Sequence, residues 1–165
     1  MRILKVAALA VILTLSLMLV LGQKGSNESH KADLTGFEEV PAVSSTGSGT
    51  LRLKVDDANQ LIEYELSYEN LEGTTTTASH IHLGQKSVNG GVIAFFCGGG
   101  GKDPCTPGSG NFSGTVSAAD VIGPTAQGIA AMEFAEVVRA LRAGQIYVNV
   151  HTNKHPGGEI RGQVR

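Results

Sequence analysis

The chain has 165 residues, with 13 Lys and Arg against 15 Asp and Glu, so its formal net charge at pH 7 is −2. A nucleic-acid-binding protein needs a basic face, and the sequence contains no cluster of Lys and Arg that could form one. The length is that of a single domain, long enough to bury a core. Composition therefore excludes a nucleic-acid partner and predicts one globular domain.

The N-terminal segment has the pattern of an export signal. Arg2 and Lys5 precede an apolar run over residues 6–21. A basic start before an apolar core is typical of a secretory signal. We expect residues 1–22 to be a signal peptide. The alternative is an uncleaved anchor over residues 3–21, because the run is long for a signal core and short for a membrane span. Either way the protein is predicted to be secreted or displayed at the cell surface.

The segment after the apolar run is polar and has no hydrophobic period. Residues 23–31 are therefore predicted to be a linker, in which His30 is solvated. The folded domain is expected over residues 32–165.

Alternating hydrophobic residues predict a mostly β domain. The stretches TLRLKV and IEYELSY, separated by turn-forming residues, predict an antiparallel hairpin with one buried face. The apolar run VIAFFC has the length of an inner strand, and NFSGTV predicts another short strand.

One segment departs from the period of two. In AMEFAEVVRALRAG the apolar residues recur at helical spacing: Phe134, Val137, Val138 and Leu141. Gly144 is placed to end this helix, which we expect over about residues 131–143. Ser117 and Asp120 have the spacing of a capping box and predict a short helical turn. A mostly β chain with one helical crossover before its last hairpin is typical of a Greek-key antiparallel β-sandwich.

The two cysteines, Cys97 and Cys105, flank the glycine-rich stretch GGGGKDP. In an exported chain an even number of cysteines predicts a disulfide. A loop this short gives a stabilisation of about 2 to 3 kcal/mol, which would pin the loop rather than hold the fold. A redox or metal-binding pair is the alternative, although this spacing is not that of a C-x-x-C motif.

Four of the five histidines lie in two stretches, TASHIHLG and YVNVHTNKHPGGEIRG. Residues two apart in a strand share a face, so His80 and His82 point together while Ile81 and Leu83 face the core. The same alternation in IYVNVHT turns three residues outward: Tyr147, Asn149 and His151. If the two strands are neighbours, the three histidines converge.

Such a cluster predicts a metal site. Imidazoles without thiolates suit Cu or Zn, and an open coordination position would allow a small molecule to bind or react. His155, just before a Pro-Gly-Gly turn, is a candidate fourth ligand beside His80, His82 and His151. The alternative is that the histidines hydrogen-bond backbone and loop groups and lock the strand ends. The sequence leaves both interpretations open.

Other motifs carry less chemistry. The glycine run lacks the pattern of a phosphate loop, and neither a G-x-S-x-G nor an H-E-x-x-H motif is present. Glu159 and Arg161 lie two apart in GEIRGQV and are predicted to form a cross-strand ion pair.

Four stretches together resemble the CHRD domain, the repeat named after chordin: LTGFEEVPAVSSTGSGTLRL, YELSYENLEG, ASHIHLG and LRAGQIYVNVHTNKHPGGEIRGQV. The resemblance extends over about residues 32–164 and is looser over residues 92–116. It implies an immunoglobulin-like extracellular β-sandwich of largely unassigned function. Growth-factor contacts in chordin are attributed chiefly to separate cysteine-rich modules, which this sequence does not contain, so growth-factor antagonism is not implied.

The histidine stretches also have a weaker similarity to the copper half of copper/zinc superoxide dismutases. That similarity implies His80, His82 and His151 as copper ligands and Arg161 as the residue that attracts an anion. The histidine- and aspartate-bearing loop that holds zinc in those enzymes is missing from this sequence, so a copper-binding site is the milder implication.

We therefore expect an exported, non-catalytic CHRD module that binds a protein, matrix component or metal ion. A copper-dependent enzyme of the superoxide dismutase type, with Arg161 guiding the substrate, is the alternative.

Overall fold

The computed structural model describes residues 28–165. The predicted signal or anchor and residues 23–27 of the predicted linker lie outside the described residues. Within residues 28–165 the chain forms one α-helix, α1 (Phe134–Arg142), and eight β-strands: β1 (Glu28–Thr35), β2 (Ser48–Asp56), β3 (Leu61–Glu69), β4 (Thr76–Leu83), β5 (Val92–Cys97), β6 (Gly110–Val116), β7 (Ile146–Thr152) and β8 (Ile160–Gln163).

The strands form one antiparallel sheet in the order β5-β4-β7-β8-β1-β2-β3-β6. Its two edge strands, β5 and β6, contact each other, and Tyr64 of β3 packs on Phe96 of β5 with ring centroids 4.4 Å apart. The sheet is therefore nearly closed into a barrel. The predicted mostly β, antiparallel class is confirmed. The division into two packed sheets that defines an immunoglobulin-like Greek-key sandwich is not confirmed.

Strand β1 begins earlier than the sequence pattern predicts. Residues 28–31, expected in the linker, belong to β1 and pair with β2, where Glu28 lies opposite Val55. The His30 side chain is only 11% exposed, and its Nε2 lies 3.1 Å from Glu28 Oε1, so the expectation that it is solvated is wrong. The strand escaped prediction because the first two positions on its inward side are polar.

The buried core follows the predicted alternation. Leu53 of β2 lies opposite Tyr64 of β3, and the inward residues of both strands are buried. The four apolar residues predicted for the helix are buried in the same cluster as the sheet residues. Gly144 ends the helical segment with a left-handed φ of 67°, and the predicted capping box of Ser117 and Asp120 is present at a short 3-10 turn.

The predicted disulfide is present and joins the end of β5 to the loop before β6. The Cα atoms of Cys97 and Cys105 are 5.0 Å apart. The glycine-rich loop that it closes packs on Phe95, because a Cβ atom on Gly99 would lie 2.5 Å from the ring. The bridge thus holds a tight loop against β5.

Glu159, directly before β8, is fully buried and connects the loop before β2, the loop after β3 and the end of β7. Its Oε1 accepts hydrogen bonds from Ser45 Oγ at 2.7 Å and from the Glu72 amide at 2.6 Å. Its Oε2 accepts from Thr152 Oγ1 at 2.6 Å and from the Gly73 amide at 3.4 Å. The predicted ion pair with Arg161 is therefore wrong, since the carboxylate accepts hydrogen bonds from these four donors instead.

We expect Glu159→Gln to lower the free energy of unfolding at pH 7 by about 2 to 3 kcal/mol, because an amide NH₂ would face buried donors. Burial raises the pKa of Glu159, but hydrogen bonds from Thr152, Glu72, Ser45 and Gly73 outweigh it, so the pKa lies below its usual 4.5. The carboxylate therefore stabilises the fold above that value, and its contribution disappears as the pH falls through the lower folded value.

Urea unfolding at pH 7, 5 and 3 measures the free energy of unfolding of the parent and of Glu159→Gln. The difference between the two free energies should be smallest at pH 3. Glu65→Gln, at an exposed position of β3, is the matched control and should change little. An unchanged difference across the three pH values would contradict the role assigned to Glu159.

We expect the double variant Cys97→Ala, Cys105→Ala to keep its β structure and to lose about 2 to 3 kcal/mol of unfolding free energy, since the closed loop is short. Circular dichroism and urea unfolding measure the two effects, with the reduced parent protein as the comparison. A variant that does not fold would show that the bridge holds the whole domain.

Candidate metal centre

The pairing of β4 with β7 brings the predicted histidines together. His80 lies opposite Asn149 and His82 lies opposite Tyr147 in this antiparallel pair. The ring centroid of His80 is 4.5 Å from that of His82 and 4.6 Å from that of His151. One ring nitrogen of each histidine lies within 4.8 Å of those of the other two. The convergence that the sequence made conditional on neighbouring strands is thus present.

The histidines point away from the core, as the alternation predicts, but the side chains of His80 and His82 are shielded from solvent. His80 and His82 are each 7% exposed. Phe95 packs edge-on against His80 at 4.9 Å, and Tyr147 stacks parallel to His82 at 4.5 Å. The covering loop, residues 84–91, closes over His82. This second layer outside the sheet was not predicted, because alternation reports the face of a strand and not what lies on it.

Backbone carbonyls place the proton in two of the rings. His82 Nδ1 is 2.9 Å from the Gly90 oxygen, and His151 Nδ1 is 2.9 Å from the Pro156 oxygen. A carbonyl oxygen only accepts, so each Nδ1 donates and each Nε2 carries the lone pair. Histidines that bind metals commonly donate their other ring N–H in this way.

Two of the remaining ring nitrogens are orphaned. His80 Nδ1 and His151 Nε2 are buried and have no hydrogen-bond partner anywhere in residues 28–165. A buried polar atom without a partner is uncommon in a folded protein and calls for an explanation such as a bound ion. Together with His82 Nε2, these atoms give each ring one nitrogen that a metal ion could bind.

The surroundings keep the rings neutral. Burial lowers the pKa of His80 to about 3 and that of His82 to about 4, with the neighbouring imidazoles adding to the effect. Burial likewise lowers the pKa of His151. At neutral pH the lone pairs are therefore free of protons, which is the state that binds a metal ion. Nitrogens on one tetrahedral ion lie about 3.3 Å apart, so small side-chain rotations would bring these rings into coordination.

His155, the predicted fourth ligand, is not part of this group. Among the described residues, the group of possible ligands consists of His80, His82 and His151. His155 lies in the turn after β7, where its backbone N–H donates to Thr152 Oγ1 at 3.2 Å.

Arg161 does not have the position expected of an anion-attracting residue. It is 2% exposed and donates hydrogen bonds to the covering loop, at 3.3 Å to the Gln85 oxygen, 2.9 Å to the Val88 oxygen and 3.0 Å to Asn89 Oδ1. Its guanidinium carbon lies 3.4 Å from the centre of the Tyr147 ring. Arg161 therefore holds the loop that covers the histidines.

Two residues near the site were missed by the sequence analysis. Asn149 was placed on the correct face but not assigned a role, and it is 4% exposed with Oδ1 3.1 Å from His82 Nε2. Glu39 is 6% exposed, and burial raises its pKa to about 7 against the opposing effect of Arg161. Nothing in the sequence around Glu39 signals this position, because only the folded chain brings it to Gly158 in the turn after β7.

Residues 28–165 include no helix with both the length and the apolar character needed to cross a membrane.

Comparison with known proteins identifies a family. No curated protein and no solved structure matches the chain. The family model of the CHRD domain matches residues 30–164, which include the three histidines and reach from β1 past the end of β8. The resemblance predicted from the sequence is confirmed, and the chain belongs to the CHRD domain family.

Proposed function

We propose that this protein is an exported CHRD module that holds one copper or zinc ion between His80, His82 and His151. The observation that supports it most strongly is that two buried imidazoles and one partly buried imidazole each direct a ring nitrogen into the same small space. The fold positions these nitrogens on two neighbouring strands, so the site needs no large rearrangement to bind an ion.

The alternative is that the histidines only lock the strand ends. It explains two of the ring nitrogens in the cluster and leaves two unexplained. It accounts for the Nδ1 hydrogen bonds of His82 and His151 to backbone carbonyls. It does not account for His80 Nδ1 and His151 Nε2, which are buried without a partner in the described part of the chain. Each such atom costs about 1 to 3 kcal/mol, and a metal ion would satisfy both.

The donor set favours late transition metals. Imidazole nitrogens without thiolates suit Zn²⁺ and Cu²⁺, and for a given set of nitrogen donors Cu²⁺ binds more tightly than Zn²⁺. Copper is therefore the ion that we expect to bind most tightly.

Export is part of the proposal. The signal-like pattern of residues 1–22, or an anchor over residues 3–21, would deliver the domain to the outside of the cell. The Cys97–Cys105 disulfide supports this, because disulfides persist mainly in oxidising compartments. Outside the cell, the module would act by binding the metal ion together with a protein or matrix partner.

A dismutase-type enzyme is the second candidate. The convergence of His80, His82 and His151 favours it, since these are the residues that the resemblance to copper enzymes implies. Arg161 weighs against it, because its guanidinium is buried and donates to the covering loop. A binding module is therefore the better supported function.

We expect the full chain, stripped of metal and then offered Cu²⁺ or Zn²⁺, to retain about one ion per chain by mass spectrometry, as a single three-histidine site requires. The double variant His80→Ala, His82→Ala should retain none. Bound metal should also raise the unfolding temperature of the parent and leave that of the variant unchanged, because binding to the native state stabilises it.

His155→Ala is the matched control, since it removes an imidazole outside the cluster, and it should bind as the parent does. Circular dichroism verifies that each variant is folded. A parent protein that retains no metal, or a folded double variant that retains as much as the parent, would refute the proposed site.

A further inference from the structure

Asn149 lies at the centre of the histidine cluster, and its side chain contacts the rings directly. It is on β7, two residues before His151 and opposite His80 in the β4–β7 pair. Its amide oxygen is 3.1 Å from His82 Nε2, and the side chain is buried. No other described side chain places an oxygen atom within hydrogen-bond distance of the His82 ring.

We propose that Asn149 Oδ1 is the fourth ligand, so that the ion is bound by three nitrogens and one oxygen. This inference rests on the proposed metal-binding function and adds a residue and an oxygen donor to it.

The first argument is an electrostatic conflict around His82. Its Nδ1 faces the Gly90 oxygen at 2.9 Å and its Nε2 faces Asn149 Oδ1 at 3.1 Å. Both partners are oxygens that only accept, while a neutral imidazole has a single N–H to donate. With the proton on Nδ1, a nitrogen lone pair and an oxygen lone pair face each other in a buried place. A cation between His82 Nε2 and Asn149 Oδ1 would turn this repulsion into two favourable contacts.

The second argument is the distance itself. Two ligands that bind one ion at about 2.0 to 2.1 Å and lie 3.1 Å apart subtend an angle of about 95 to 100° at the ion. This angle lies between those of square-planar and tetrahedral coordination. Asn149 Oδ1 and His82 Nε2 are therefore already separated as neighbouring ligands would be.

An oxygen ligand has a consequence for the choice of ion. Amide oxygen is a harder donor than imidazole nitrogen and suits divalent ions. With Asn149 bound, the site should prefer Cu²⁺ and Zn²⁺ over Cu⁺. A site of three histidines alone would accept Cu⁺ more readily.

The competing role for Asn149 is a cap that occupies His82 Nε2 and must leave before the metal binds. The two roles predict opposite effects when the amide is removed. If the amide is a ligand, its removal weakens metal binding. If the amide competes with the metal for His82 Nε2, its removal strengthens metal binding. The sign of the change in affinity therefore separates them.

The experiment compares Asn149→Leu, which has nearly the same size and no polar atom, with the parent full chain. Cu²⁺ and Zn²⁺ affinities are measured by competition with a chromophoric chelator. We expect the variant to bind one ion with an affinity reduced by about 10- to 100-fold. Asn149→Asp, which keeps an oxygen in place, should bind at least as tightly as the parent. Asn153→Leu, which removes an exposed amide just after β7, is the control and should not change the affinity.

Electron paramagnetic resonance of the Cu²⁺-loaded proteins gives a second reading, since loss of an oxygen ligand changes the copper spectrum. We expect a changed spectrum in Asn149→Leu and only a small change in Asn149→Asp. If the Leu variant does not fold, Asn149→Ser, whose hydroxyl is too short to reach the ion, provides the same test.

Equal or tighter binding by folded Asn149→Leu with an unchanged copper spectrum would overturn the assignment of Asn149 while leaving the three-histidine site intact. Failure of the parent and of every variant to bind either ion would refute the metal site itself, and with it the fourth ligand.

Discussion

The pairing of β4 with β7 is the constraint on which the rest of the site depends. It sets His80 opposite Asn149 and His82 opposite Tyr147, so rings from distant parts of the chain share one face. Because the side-chain period of a strand is two, a shift of one residue in this pairing would turn His151 into the core and Val150 outward. Strand β7 also pairs with β8, which brings Arg161 to the Tyr147 ring. One register thus positions both the cluster and the residue that secures its cover.

The covering loop affects the protonation of the histidines by burying them. Arg161, which is stacked on Tyr147, holds the covering loop by its carbonyl oxygens, and that loop supplies the oxygen bonded to His82. Burial disfavours the charged form of each imidazole and lowers its pKa, so the rings stay neutral. A neutral imidazole has a lone pair that can bind a cation, whereas a positively charged imidazolium would repel it. The same burial that makes unpartnered nitrogens costly makes the site ready for an ion.

Two buried carboxyl groups show how the fold treats charge differently in different places. Glu159 accepts four hydrogen bonds from two loops and the end of β7, which outweigh its burial and hold its pKa low. Glu39 gains less from its surroundings, and burial raises its pKa to about 7. The first carboxylate stabilises the fold by joining loops. The second carboxyl lacks such donors, and its Oε1 is buried without a hydrogen-bond partner in residues 28–165.

The sequence by itself determined the class of the protein, because hydrophobic alternation, helical spacing and the capping box are local patterns. These identified the β2–β3 hairpin, the helix at Phe134–Arg142 and the shared face of His80 and His82. Only the tertiary structure decided which strands are neighbours, that His155 stays outside the histidine cluster, that Arg161 lies under a loop and that Glu39 is buried. The physical reason is that alternation specifies the direction of a side chain, whereas its partners and its burial depend on loops that pack from distant parts of the chain.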